Sequence, residues 1–192
     1  MTRTKPHRKP QHRTVRIKQY SLMDQLMASP THPLPAHKRV HHLTAMWQGL
    51  ASIETAPEPT THDWRLCSDT VNMMETFVTE GANPIHNEAG QVVGSYWHKC
   101  DGELAAITDH SGLLADAIAA MAMAGKRHQA GGHIRLDAPG IQAVRAILED
   151  YAALLEVLPE RETIRCHRKT EHRIAEILQG RKCPHDIEIV EL

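Results

Sequence analysis

Apolar residues return every three or four positions through most of this chain, in stretches that end at proline or glycine, and that spacing confines it to helices packed face to face. Val40, Leu43, Met46, Trp47, Leu50 and Ile53 form the first such stripe. Its helix should open near Pro35 and stop before Pro57 and Pro59, because proline is tolerated in a first turn and not in a helix interior. Thr60 or Thr61 can then cap a second helix with the inner stripe Trp64, Cys67, Val71, Met74 and Val78, closed by Gly81. Aromatic residues make up only 4% of the 192 residues, so Leu, Ile, Val, Met and Ala must fill the core. That palette suits a bundle of helices.

Between Gly81 and Cys100 the pattern changes. Asn83-Pro84, Asn87 and Gly90 are turn chemistry, and Gln91 to Trp97 is rich in strand formers, which predicts a hairpin or lone strand near 91–97. From Glu103 to Ala124 the positions Leu104, Ile107, Leu114, Ile118 and Met121 return to helical spacing and predict a central helix, with Gly112 as its weak point. His133 to Leu136 reads as a brief extended stretch. Asp137 and Pro139 then start a helix striped by Ile141, Val144, Leu148, Tyr151, Leu155 and Leu158, and Pro159 separates it from a last helix ending at Gly180. Ile187, Ile189 and Leu192 alternate with acids and predict an edge strand against 91–97 or 133–136. The expected fold is mainly α: a single-domain bundle of about five helices over residues 35–192, with a small β element and a core containing Trp47, Trp64, Met74, Leu114, Ile118, Leu148 and Tyr151.

Residues 1–34 read as a tail and linker. Arg3, Lys5, Arg8, Lys9, Arg13, Arg16 and Lys18 precede the first acidic residue, Asp24, and a proline-broken segment of like charges without an apolar run is expected to be disordered. The patch Leu22, Leu26 and Met27 before Pro30, Pro33 and Pro35 is expected to dock on the body. Residues 19–160 hold 8 basic and 17 acidic side chains, and 161–182 hold 7 and 3, so the whole-chain balance of −1 hides a basic arm, an acidic body and a second basic stretch. Arg161, Arg165, Arg168 and Lys169 fall on one side of a helix. Either they meet a partner, or they form an ordinary solvated face or dock on the acidic body.

No stretch reaches the roughly 20 apolar residues of a spanning helix, and no apolar region follows the basic start as in a secretory signal. The expected setting is cytoplasmic, with reduced thiols among Cys67, Cys100, Cys166 and Cys183 and no membrane partner. Phosphate-loop and serine-nucleophile patterns are missing. Cys166, His167, His172, Cys183 and His185, with His98 and Cys100, are ligand types for zinc, but their spacing matches no common zinc module; no cofactor is expected. His41 or His42, His62-Asp63 and Asp116 sketch the ligands of a metal-dependent phosphohydrolase. A helix first turn explains Asp63 equally well.

The run from Leu43 through Asp63-Trp64, Asn72, Glu75 and Gly81, then Ala117, Ile118, Met121 and Arg127, then Ile141 to Leu155 with Tyr151 resembles a group of small uncharacterised proteins from phages and prophages of Gram-negative bacteria. The resemblance covers about residues 38–158 and departs at the Asn83 to Cys100 insertion and the long C-terminus. It implies a helical accessory protein that binds a host component and carries no catalytic residue across. The expected function is therefore binding of a host macromolecule, nucleic acid or an acidic protein surface, by the arm and the 161–169 face, and not catalysis. Two alternatives stand beside it: an acidic-body inhibitor of a host defence complex, anti-CRISPR-like and mimicking nucleic acid, and a metal-dependent hydrolase.

Overall fold

The computed structural model describes residues 20–109 and 111–178. The basic arm, the expected disorder of its residues, and the expected C-terminal strand lie outside that range. Among the described residues there are six helices and three strands: α1 (Leu22–Met27), α2 (Ala36–Thr55), α3 (Thr61–Thr79), β1 (Asn83–His86), β2 (Val92–His98), β3 (Leu104–Thr108), α4 (Leu113–Gln129), α5 (Ala138–Val157) and α6 (Glu160–Leu178). The mainly helical fold with a small β element is the one the apolar spacing predicts.

α3 is the axis of the bundle, packed against α2, α4, α5, α6 and β2. Its start follows from Thr60 and Asp63, which form a capping box: the Asp63 carboxylate accepts from the Thr60 N–H at 2.9 Å and from its hydroxyl at 2.7 Å. The same carboxylate accepts from Ser52 Oγ at 2.9 Å, fastening the end of α2 to the start of α3. Asp137 caps α5 through the Gly140 N–H at 2.9 Å. The expected stripe of α3 is buried throughout, as are Leu114, Leu148 and Tyr151, while Trp47 and Ile118 stand half-buried at the margin of the core.

The segment 103–124 is not one helix. Leu104 to Thr108 pairs antiparallel with Gly94 to His98, and α4 begins only after Gly112, whose φ of +73° places it in the left-handed region that glycine enters without a Cβ penalty. Gly112 offers no side-chain cap, so Asp109 caps α4 from a distance, accepting the Leu114 and Ala115 N–H groups at 3.1 and 3.3 Å. The strand order is β1-β2-β3, all antiparallel. Both edges of β2 are therefore occupied, and a strand from the C-terminus cannot add to 91–97. Among the described residues, 133–136 pair with no strand; the C-terminal segment expected to pair with them lies outside the described residues.

Trp97 anchors the sheet. It is fully buried, edge-on to Phe77 with 5.0 Å between ring centroids, and its Nε1 donates to the Phe77 carbonyl at 2.7 Å and to Ser95 Oγ at 2.8 Å. Ser95 Oγ donates to the same carbonyl.

Candidate functional site

The cations of α6 turn inward toward their own chain. Arg165 ion-pairs with Glu162 at 2.8 Å and holds its guanidinium 4.7 Å from the centroid of Trp97, a cation–π geometry. Lys169 donates to the Glu80 carbonyl at 2.7 Å, capping the end of α3. Arg168 donates to the Gln25 side chain and Arg161 reaches within 3.5 Å of the Leu26 carbonyl. Arg161, Arg165, Arg168 and Lys169 each have a partner among the described residues, of which Glu162 and Glu80 are acidic. Arg3, Lys5, Arg8, Lys9, Arg13, Arg16 and Lys18 lie outside the described residues.

These contacts explain the orientation of α1. The α6 side of α1 must offer oxygen acceptors to Arg161 and Arg168, and Gln25 with the Leu26 carbonyl does so. The apolar side then faces out. Leu22, Met23, Leu26 and Met27 are 55%, 64%, 59% and 79% exposed, and at 3.6 residues per turn they span a continuous arc of about 140°. The expectation that Leu22, Leu26 and Met27 dock on the body is overturned. Docking uses Ala28 and Leu34, both buried, with backbone bonds from Glu160 to the His32 carbonyl at 2.8 Å and from Arg161 to the Ser29 carbonyl at 3.1 Å. Residues 22–34 so contribute a helix and a buried leucine beyond the link expected of them.

Where the chain enters α1, Tyr20 sits in a cluster of rings drawn from three helices. Its hydroxyl lies 3.1 Å from Nε2 of His42 on α2, and its ring meets that of His167 on α6 edge-on at 5.3 Å. The His42 and His167 rings are 5.5 Å apart, and Nε2 of His167 is 3.3 Å from the hydroxyl of Tyr151 on α5. Burial pushes His167 down to about 3, with the His42 imidazole adding to the effect. Burial lowers His42 too, helped by His41 and Lys38. Burial raises Tyr20, and Glu160, Asp24 and Glu171 push in the same direction. Burial raises Tyr151 as well, so all four groups are neutral at pH 7, two phenol–imidazole pairs that hold the first described residue against the bundle. Tyr151 was legible as a core residue; its partner was not, since nothing in sequence links Tyr151 to His167.

The described members of the ligand sets do not assemble. Among the described residues no group of three or more His, Cys, Asp and Glu side chains converges as a metal would require. Asp63 is held by Thr60 and Ser52, and Asp116 is exposed in the first turn of α4. Cys166 is buried, with its Sγ 3.5 Å from the Met73 carbonyl, whereas His172 is exposed and pairs with Glu176 at 3.3 Å. Cys183 and His185 lie outside the described residues. No helix among the described residues is long and apolar enough to cross a membrane.

No protein-family model matches this chain, and no curated protein or solved structure is significantly similar to it.

Proposed function

We propose that the protein works by binding an anionic surface rather than by catalysis, with residues 1–27 as its contact. The observation that carries this reading is the division between two sets of cations. Those of α6 are engaged by Trp97, Glu162, Glu80, Gln25 and the Leu26 carbonyl. The seven of the arm lead straight into a helix that turns its apolar arc outward. Exposed apolar surface beside unbalanced charge marks a place of association. Nucleic acid and acidic protein are the partners that the charge pattern suggests, and the phage or prophage setting implied by the resemblance would make the partner a host component.

The test is retention of the full chain on immobilised heparin, an anionic polymer without sequence. Arg3→Gln, Lys5→Gln, Arg8→Gln, Lys9→Gln, Arg13→Gln, Arg16→Gln and Lys18→Gln together should bring elution to the void at low salt, whereas Arg168→Gln should leave it unchanged. Equal retention of the arm variant and the parent would end this reading.

A second reading has its own observation. Glu149 and Asp150 are exposed side by side on α5, and partial burial together with the Glu149 charge holds the Asp150 carboxyl above its usual range. That is a crowded anionic patch, as a nucleic-acid mimic inhibiting a defence complex would present. It requires that Glu149→Lys, Asp150→Lys and Glu156→Lys abolish inhibition of a host nuclease complex while the neutralised arm retains it.

A further inference from the structure

α1 is fixed to the bundle at its two ends. None of its six residues is buried, and its hydrogen bonds to α6 are those of Gln25 with Arg168 and of the Leu26 carbonyl with Arg161. Behind it, Ala28 is buried and the Arg161 N–H donates to the Ser29 carbonyl at 3.1 Å. In front of it stands Tyr20, with its ring edge-on to His167 at 5.3 Å and its hydroxyl 3.1 Å from Nε2 of His42. The rear attachment is made of backbone bonds and apolar contact, and holds at any pH near neutral. The front attachment rests on two imidazoles whose centroids are 5.5 Å apart. Tyr20 lies over them, and His167 is only 7% exposed.

The groups around the two imidazoles do not favour a proton there. α2 contributes His41 and Lys38, both of which oppose a charge on His42. α5 contributes Tyr151, 3.3 Å from Nε2 of His167, and the buried Cys166 thiol of α6 acts on the same phenol. The carboxylates that act on Tyr20 are Glu160 and Glu171 of α6 and Asp24 of α1. Glu160 is taken by Lys38 at 3.0 Å and the Ser29 N–H at 3.3 Å, Asp24 by the Ser21 N–H at 2.6 Å, and Glu171 is engaged as well. An imidazolium formed in the closed cluster therefore loses water and finds each of these acids occupied, whereas one formed after Tyr20 lifts away is hydrated. We propose that Tyr20, His42 and His167 form an acid-sensitive latch, in which neutral imidazoles hold Tyr20 and α1 against α6 and their protonation releases residues 20–27. Release parts Arg168 from Gln25 and Arg161 from the Leu26 carbonyl, so acid lifts the apolar helix and bares two cations of α6 together. The latch is independent of what residues 1–27 bind.

With Tyr20 in place, His167 titrates near 3 and His42 below its ordinary value; uncovered, both return toward about 6.5. The open form therefore binds more protons below that pH. The latch is fully closed above it, and on acidification each histidine raises the open-to-closed ratio by up to about tenfold per pH unit. Such opening is local and leaves the bundle folded.

The experiment is a nuclear magnetic resonance titration of the full chain from about pH 7.5 to about pH 5, following backbone amides and histidine side chains. The amides of Leu22–Met27 should move toward random-coil positions with the midpoint of the His42 and His167 titrations, while those of α3 keep their folded positions. Tyr20→Ala should release α1 already at the upper pH with α3 still folded, and His167 should then take its proton at least about one pH unit higher than in the parent. His42→Gln with His167→Gln should abolish the pH dependence, whether the two amides keep Tyr20 seated or leave it released throughout. α1 still docked in the parent at the lower pH overturns the latch, whether or not the imidazoles have titrated. Loss of α1 only together with α3 overturns it by making the proton uptake part of global unfolding. An unchanged His167 titration in Tyr20→Ala, or acid release that persists in the double variant, overturns it too.

Discussion

His167 and Tyr151 meet between α6 and α5 with 3.3 Å from imidazole Nε2 to phenol oxygen, and both side chains are buried. A charged imidazole there would lose its hydration and gain only one neutral partner, so the fold excludes the proton. The sign of the resulting pH dependence follows. His167 titrates near 3 when folded and near 6.5 when unfolded, so as pH falls below about 6.5 the unfolded chain takes up a proton that the native one refuses. Its contribution is fully present above that pH and is lost progressively toward pH 3, at up to about 1.4 kcal/mol per pH unit. His42 acts in the same direction. Melting curves between pH 7.5 and 5, above the carboxylate range, should fall on acidification, and His167→Gln should flatten the slope. Equal slopes would place the proton uptake elsewhere.

The carbonyl of Phe77 receives both Ser95 Oγ and Trp97 Nε1 inside the core. Ser95→Ala or Trp97→Phe leaves it one donor, and both together leave it none, orphaning a buried acceptor. An orphaned acceptor costs about 1–3 kcal/mol. Denaturant unfolding of the two single variants and the double should therefore show the double less stable than the sum of the singles by about 1 kcal/mol. Additivity would mean that the carbonyl finds another donor.

The helices were legible in sequence where one face alone decides the outcome. The stripe from Trp64 to Val78 and that from Val144 to Leu155 are buried as their spacing requires. Leu104 and Ile107 misled because a separation of three puts both on one helix face, whereas in β3 they point to opposite faces, Leu104 exposed and Ile107 buried; the decision came from β2, which offers Leu104 to Thr108 a ladder of hydrogen bonds. α1 misled for a different reason. Its apolar spacing argues for burial, but the surface it meets is α6, whose Arg161 and Arg168 require oxygen acceptors. The ring cluster was invisible since its members lie on segments 20, 42, 151 and 167, and no local pattern announces a pairing of that span.

Asp63 has two incompatible assignments, metal ligand or helix cap. The structure gives it the Thr60 N–H and hydroxyl and the Ser52 hydroxyl; partial burial would raise its pKa, and these hydrogen bonds outweigh burial and lower it. Asp63→Ala should destabilise the fold by about 1–2 kcal/mol, with Ser52→Ala costing less. A variant of unchanged stability would remove the capping role and reopen the other.

Thiol chemistry separates the cysteines by position. Cys67 is buried on α3 and pushed up to about 12, by burial first and then by the charges of Asp63 and Glu54. Cys166, buried on α6, is raised mainly by burial. Cys100 is half-buried in the turn between β2 and β3, raised by burial and Asp101 but reachable from solvent. The thiolate is the reactive form, and a buried thiol both resists ionisation and excludes the reagent. With Cys183→Ser removing the cysteine outside the described residues, three thiols remain of the four in the chain. Ellman's reagent should titrate one of them in the native protein, slowly at pH 7 and faster as pH rises, and all three in denaturant. Adding Cys100→Ser should abolish the native titre. Rapid native reaction of two or more would mean that α3 and α6 open to solvent far more readily than their packing against each other implies.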